Sequence, residues 1–455
     1  MISTWLSLLD LMYLSLFILI TAILKARVSF FKKMIVPTSM IAGFLGLLVG
    51  PELLGLFQYN LDTLGTVVYH LMAIGFIAIS LKERKLDQNR PEVVNAGIFI
   101  VSNYLIQGII GLGLLLVLGG VLFPNVFPGI GLLLPLGFGQ GPGQAYSIGV
   151  QWQELGIEGG GNLGLTFAGL GFVWATAFGM FAMNMLVKKG IYPAVFHADD
   201  VKKSKVIEED QVEELSLSDA MDKLTYQIAL IALIYLITYL TINFLSSFLQ
   251  PLGTYGATLS QLLEGFHFLI GSLYAILLRI ILNYFQKKNV HLEHAPNNYL
   301  LQRIAGVSFD YMITASITAI SLYALGQYLI PVLILTTAAG IGTYFYIQWL
   351  APKLFKRNEL PNILGFYGML TGTISTGMAL VKAVDPKFES NATDNMVMGS
   401  ATAIVFGLPL MFILNLPIVG FIGGEPIFYT YTFLALIVYF IFLLYLLQLR
   451  LKKVA

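Results

Sequence analysis

Eleven apolar runs, each about as long as a bilayer is thick, leave this chain very few folds. They cover residues 3–24, 35–57, 63–81, 94–123, 162–187, 224–248, 264–285, 302–325, 329–350, 396–418 and 429–449. A helix rises about 1.5 Å per residue, so about 20 apolar residues cross the roughly 30 Å of hydrocarbon. Hydrocarbon offers no partner to open backbone groups, and helices satisfy their own. The predicted class is therefore an all-α polytopic membrane protein. Composition points the same way: 57% of residues are apolar and 11% charged, with a mean hydropathy of +0.79, too little charge for a soluble surface. The net charge of +1 says nothing about partners, nothing in the sequence suggests nucleic acid, and the lack of cysteine excludes disulfides, thiolate metal sites and thiol nucleophiles. The first run has no basic residue before it and no small-residue cleavage pattern after it, so a retained helix is expected rather than a signal peptide.

Basic residues set the expected orientation. Of the 26 lysines and arginines, all but Arg279 fall after odd-numbered runs: around 25–33, 82–90, 188–223, 287–303, 353–387 and 450–453. The alternate loops contain none. Positive charge marks cytoplasmic loops, which puts the N-terminus outside and the C-terminus inside a cell (inner) membrane. Arg279 lies near enough to its helix end to snorkel.

Two further apolar segments, 127–150 and 361–384, are interrupted by glycine, at Gly137-Phe138-Gly139-Gln140-Gly141-Pro142-Gly143-Gln144-Ala145 and at Thr371-Gly372-Thr373-Ile374-Ser375-Thr376-Gly377-Met378-Ala379. A single glycine cluster of this kind is ordinarily close packing between helices. Two at matching places in the two halves predict re-entrant hairpins, because unpaired backbone within the membrane is tolerated where protein or a watered cavity covers it. Five runs precede the charged segment 188–221, so the second half enters the membrane in the opposite sense. The expected organisation is an inverted 5+5 repeat: residues 1–187 with the first hairpin, a cytoplasmic linker over 188–221, residues 222–418 with the second hairpin, and an appended helix and tail over 419–455.

The hairpin tips are the candidate site. Half-helices that end there expose N–H groups suited to carboxylates and carbonyls suited to sodium ions. Asp310, in a run with Ser308 and Thr314, is either a cation ligand or a structural ion pair near the cytoplasmic edge. Lys382 reaches a substrate carboxylate as a point charge, or is an interfacial snorkelling residue, or is the partner of Asp385. His291 and His294 have metal-ligand spacing but no third histidine nearby, so a solvated loop is the better reading.

Two inverted five-helix repeats, each with a glycine-rich hairpin before its fifth helix, resemble the sodium/glutamate symporters, the ESS family, whose architecture is shared with the bacterial 2-hydroxycarboxylate transporters. The Gly139–Ala145 and Thr371–Val381 runs are similar to the paired hairpin motifs of a divergent branch, and the resemblance covers roughly residues 1–418. It implies a homodimer with no organic cofactor, in which sodium as coupling ion drives glutamate or a related organic anion inward by an elevator-type movement. Carried onto this chain, substrate would meet Gln140, Gly141, Gly143, Gln144, Thr373, Ser375, Thr376, Gly377 and Lys382. Sodium would meet Gly139, Thr371 and Asp310 with Ser308 or Thr314. A sodium/proton antiporter, a di- or tricarboxylate or other amino-acid carrier, and a channel remain alternatives. An intramembrane enzyme is disfavoured, since the sequence shows no Ser/His, paired-Asp or His/Glu metal arrangement within its apolar runs.

Overall fold

A computed structural model describes residues 2–28, 36–82, 91–188, 217–288, 296–323, 325–356, 358–385 and 390–454. Most of the 188–221 linker and the His291–His294 pair lie outside them. The described residues form helices and turns, with no strand. In chain order the helices are α1 (Ile2–Arg27), α2 (Thr38–Val49), α3 (Leu61–Leu81), α4 (Pro91–Leu122), α5 (Pro142–Glu154) and α6, which runs from Gly160–Val173 through Trp174–Phe178 into Gly179–Lys188. They continue as α7 (Leu217–Leu249), α8 (Gly253–Gly265), α9 (His267–Lys287), α10 (Asn298–Thr318), α11 (Leu329–Leu354), α12 (Glu359–Thr371), α13 (Ile374–Val384), α14 (Ala392–Gly423) and α15 (Ile427–Val454).

Among the described residues, nine helices are long and apolar enough to cross a membrane: α1, α3, α4, α6, α7, α9, α11, α14 and α15. Two of the expected runs depart from this. The 35–57 run is helical only over the 12 residues of α2, about 18 Å, because Gly50 is extended and Pro51 cannot continue the ladder. The 302–325 run ends at Thr318, and its helix carries Gln302, Arg303 and Asp310. α10 packs on α2 and α3, with Thr314 donating to Ser39 O at 3.0 Å and Thr318 to Gly43 O at 3.3 Å, while Gln302, Arg303 and Asp310 stay on its exposed side. α8, separate from α9, was not expected.

The helices divide between cores. One core joins Leu14, Met40, Val68, Met72, Met312 and Ile317 from α1, α2, α3 and α10, and it continues through Ile77, Ile231, Ala275 and Leu301 into α7 and α9. The other joins α4, the 127–154 segment, α6, α11, α12, α13, α14 and α15 through residues such as Phe99, Phe138, Phe167, Tyr367, Leu380, Met396 and Leu436. α6 borders both, since Leu163 and Phe167 belong to the second core and Leu165 and Phe172 to the first. In each half, the helices that come first build one core, and the last helix, broken segment and helix build the other.

Contacts between helix ends fall into two sets. Lys82 donates to Gln302, Asn391 to Glu92 Oε2 at 2.9 Å and Arg450 to Asn95 Oδ1 at 2.8 Å. The opposite ends meet where Glu52 accepts from Leu322 N at 2.6 Å and from Tyr323 N at 3.2 Å, and where Asn162 Nδ2 donates to Ser321 O at 3.0 Å. Each pair joins ends that the charge pattern assigns to one side. On the second side, Trp152 of α5 is fully buried and donates to Asn415 Oδ1 of α14 at 2.9 Å. Trp152→Phe leaves that oxygen buried without a donor, so purified protein is expected to lose about 1–3 kcal/mol of stability, read as a lower melting temperature.

Candidate functional site

Both glycine-rich segments are broken where the sequence places the break. In the first, a 3₁₀ turn (Pro128–Leu132) and a π-helical turn (Pro135–Gln140) lead to Gly141, whose φ of 106° and ψ of 171° no other residue adopts readily. Pro142 then opens α5, at the position where a missing N–H costs nothing. In the second, α12 ends at Thr371, Gly372 leaves the helix with a φ of −142° and a ψ of −105°, Thr373 is extended, and α13 opens at Ile374. The chain reverses there, because Gly377 of α13 lies against Gly365 and Gly368 of α12. Gly377 N is the first to close a helical bond, to Thr373 O at 3.0 Å, so the N–H groups of residues 374–376 have no intrahelical partner.

The two breaks converge. A Cβ on Gly171 of α6 would overlap Thr371 O and lie 2.9 Å from Phe138, and one on Gly372 would lie 3.1 Å from Phe172. From the other side, Gln107 of α4 donates through Nε2 to Leu370 O at 2.8 Å and to Thr343 Oγ1 of α11 at 3.0 Å. Its Oε1 comes within 2.9 Å of a Cβ position on Gly139. Since Leu370 O only accepts, the amide orientation of Gln107 follows from the bonds it makes. α6 widens directly beyond Phe172 into a π-helical turn over Trp174–Phe178, and Thr176 Oγ1 satisfies Phe172 O at 2.8 Å. Irregular turns of this kind recur at functional sites.

The buried polar side chains around this crossing are uncharged. Gln107 and Asn103, one turn apart on α4, are fully buried, and Gln144 of α5 is 7% exposed. Gln107 Oε1, both amide atoms of Asn103, Gln144 Oε1 and Gln140 Nε2 have no hydrogen-bond partner. A buried amide left unpaired costs about 1–3 kcal/mol, so a cluster of them invites a ligand or water. Among the described residues, the only buried carboxylate is Asp10 of α1 and the only buried cation Arg279 of α9.

The expected site residues separate accordingly. Gly139, Gln140, Gly141, Gly143, Gln144, Thr371, Thr373, Ser375, Thr376 and Gly377 all lie at or within a turn or so of the breaks. Thr371 donates to Tyr367 O at 2.6 Å, and the Thr373 and Thr376 hydroxyls are 3.2 Å apart. Ser375 is exposed. Lys382 is exposed in the last turn of α13, about 9 Å along the helix from Thr376, where it complements the helix carbonyl end. Asp310 is exposed rather than buried, and Ser308 and Thr314 donate to the α10 carbonyls of Ile304 and Asp310 at 2.9 Å each. All three lie on α10, which packs on α2 and α3 and is separate in chain order from the two segments that carry the breaks. Asn103, Gln107 and Gly171 were not anticipated. Their signal was present, as two amides four residues apart inside an otherwise apolar run. Comparison with protein-family models, with curated proteins and with solved structures finds no match.

Proposed function

We propose that the chain is a secondary carrier of the inner membrane, binding its substrate where the two broken segments cross. The observation that carries this reading is the meeting of Gly139 and Leu370, from opposite halves of the chain, on the single side chain of Gln107. In this reading α12–α13 is a re-entrant hairpin. Its arms of 13 and 11 residues reach about 20 Å and 16 Å, too short to cross and long enough to bring the tip near mid-membrane. The 127–154 segment dips in from the other face, so the halves form an inverted repeat. α5 and α13 turn helix N-termini toward the crossing, which favours a carboxylate, and α12 turns its carbonyl end toward it, which favours a cation.

The substrate proposed is glutamate or a related small organic anion, with sodium as coupling ion. The crossing itself supplies no buried charge, so an anion alone would be poorly held, and sodium bound alongside would balance it. A homodimer in which the core carrying both breaks slides against the other completes the proposal. Full-length protein in proteoliposomes is expected to accumulate labelled glutamate when sodium is high outside, and not when potassium replaces it. Sodium-independent uptake, or none across amino acids and di- and tricarboxylates, would overturn the symport reading.

Orientation has its own test, made easier by a chain without cysteine. Glu158, beyond α5, and Lys356, before α12, are both exposed. In intact cells a membrane-impermeant maleimide is expected to label Glu158→Cys at once and Lys356→Cys only after permeabilisation. Labelling of both from one side would remove the inverted repeat.

A further inference from the structure

Resting on the carrier reading, we infer that Asn103 and Gln107 of α4, with the carbonyl end of α12, form a binding site for a dehydrated monovalent cation. Phe99, Asn103 and Gln107 recur every four residues and share one face of α4. Phe99 packs on Phe366 of α12 with ring centroids 5.1 Å apart, and Gln107 donates to Leu370 O of the same helix. Asn103, between them, therefore faces the last turns of α12. That is where helix carbonyls lack intrahelical donors and carry partial negative charge.

Asn103 is fully buried with neither amide atom paired, and Gln107, also fully buried, keeps a free Oε1 while its Nε2 is engaged. Gln144 offers a third unpaired oxygen from the first turn of α5. Buried neutral oxygens without donors suit a cation, and the lack of a buried carboxylate among them decides its charge. Calcium and magnesium sites are built with carboxylates that offset a double charge, whereas amides and carbonyls suffice for a single one. The ion so placed lies between the two breaks, where an anion at the α5 and α13 N-termini would sense it. This takes the cation site away from Asp310, Ser308 and Thr314 and puts it on α4.

The test is cation titration of full-length protein in lipid nanodiscs at constant ionic strength, comparing sodium, potassium and choline chlorides by melting temperature and tryptophan fluorescence. Wild type is expected to respond saturably to sodium and not to choline. Asn103→Leu, of similar shape, is expected to weaken sodium by at least about tenfold. Gln227→Leu, which removes another buried amide with an unpaired oxygen in the other core, is expected to leave the response intact. Wild-type sodium affinity in Asn103→Leu, or loss of the response in Asp310→Asn alone, overturns the site and leaves the carrier reading standing. If Asn103→Leu does not fold, Asn103→Asp decides: it is expected to gain calcium binding, and unchanged ion preference overturns the inference. A wild type that responds to no monovalent ion overturns it as well, and proteoliposome uptake then judges the carrier reading separately.

Discussion

Gly141→Val is expected to abolish substrate uptake while the protein remains folded. Gly141 has a φ of 106° and a ψ of 171°, a region essentially closed to residues with a side chain. No atom outside its chain neighbours lies within 4 Å of the position its Cβ would take, so the Cβ itself finds open space and the strain is carried by the backbone. Holding a side-chain-bearing residue there costs about 1–3 kcal/mol, and the least costly relief is to rebuild the tip between Gln140 and α5. That rebuilding swings the first turn of α5, with Gly143 and Gln144, away from the crossing. An alanine has the same Cβ, so Gly141→Ala should lose nearly as much, and a tenfold fall in initial uptake is the smallest expected for either. Melting temperatures should stay within a few degrees of wild type, because the helices around the tip keep their packing. Wild-type uptake by Gly141→Val would show that the glycine break plays no part in transport.

Gly377→Leu is expected to have the opposite profile, a collapse of stability at a residue close to the other tip. Here the backbone conformation is ordinary and the space is absent. A Cβ would overlap Gly365 O and sit 2.9 Å from Met396 Sδ and 3.1 Å from Met369 N, so backbone of the facing helix blocks it. Only the methionine can move aside. Overpacking a core by far less than this costs about 1–3 kcal/mol, and α12 and α13 have no other way to accommodate a leucine than to part. The expected result is a melting temperature lowered by many degrees, with little monodisperse protein recovered from detergent. Ser375→Ala, two residues away and exposed, should stay near wild type. A Gly377→Leu protein as stable as wild type would mean that the two arms do not pack through their glycines.

The same glycines illustrate how far sequence reasoning reaches. That Gly141-Pro142 and Gly372-Thr373 interrupt helices is legible from the residues, because glycine and proline act on their own backbone. Why Gly377 is a glycine is not, since the atoms that demand it belong to residues 365, 369 and 396. Hydropathy averaging found α4 and, for the same reason, hid Asn103 and Gln107, which two dozen apolar neighbours outweigh. It overextended the 35–57 run because it does not register that Gly50-Pro51 stops a helix. Asp310 and Lys382 stood out as charges in apolar surroundings. Both side chains are exposed on their helices, an outcome that depends on which face each helix presents to its neighbours.

Run length, basic-residue spacing and the positions of glycine and proline are properties of short stretches, and they alone determine a chain of many apolar helices with two interrupted segments. Which helices touch is a property of pairs far apart in the chain. Gln107 meets Leu370 across 263 residues, and Trp152 meets Asn415 across the same separation. Only the tertiary structure places both interruptions against Gln107 and Gly171 and leaves a cluster of buried amides without partners beside them. The physical reason is that close packing and hydrogen bonding are decided by complementary surfaces brought together, and no local pattern encodes which surface a helix will find.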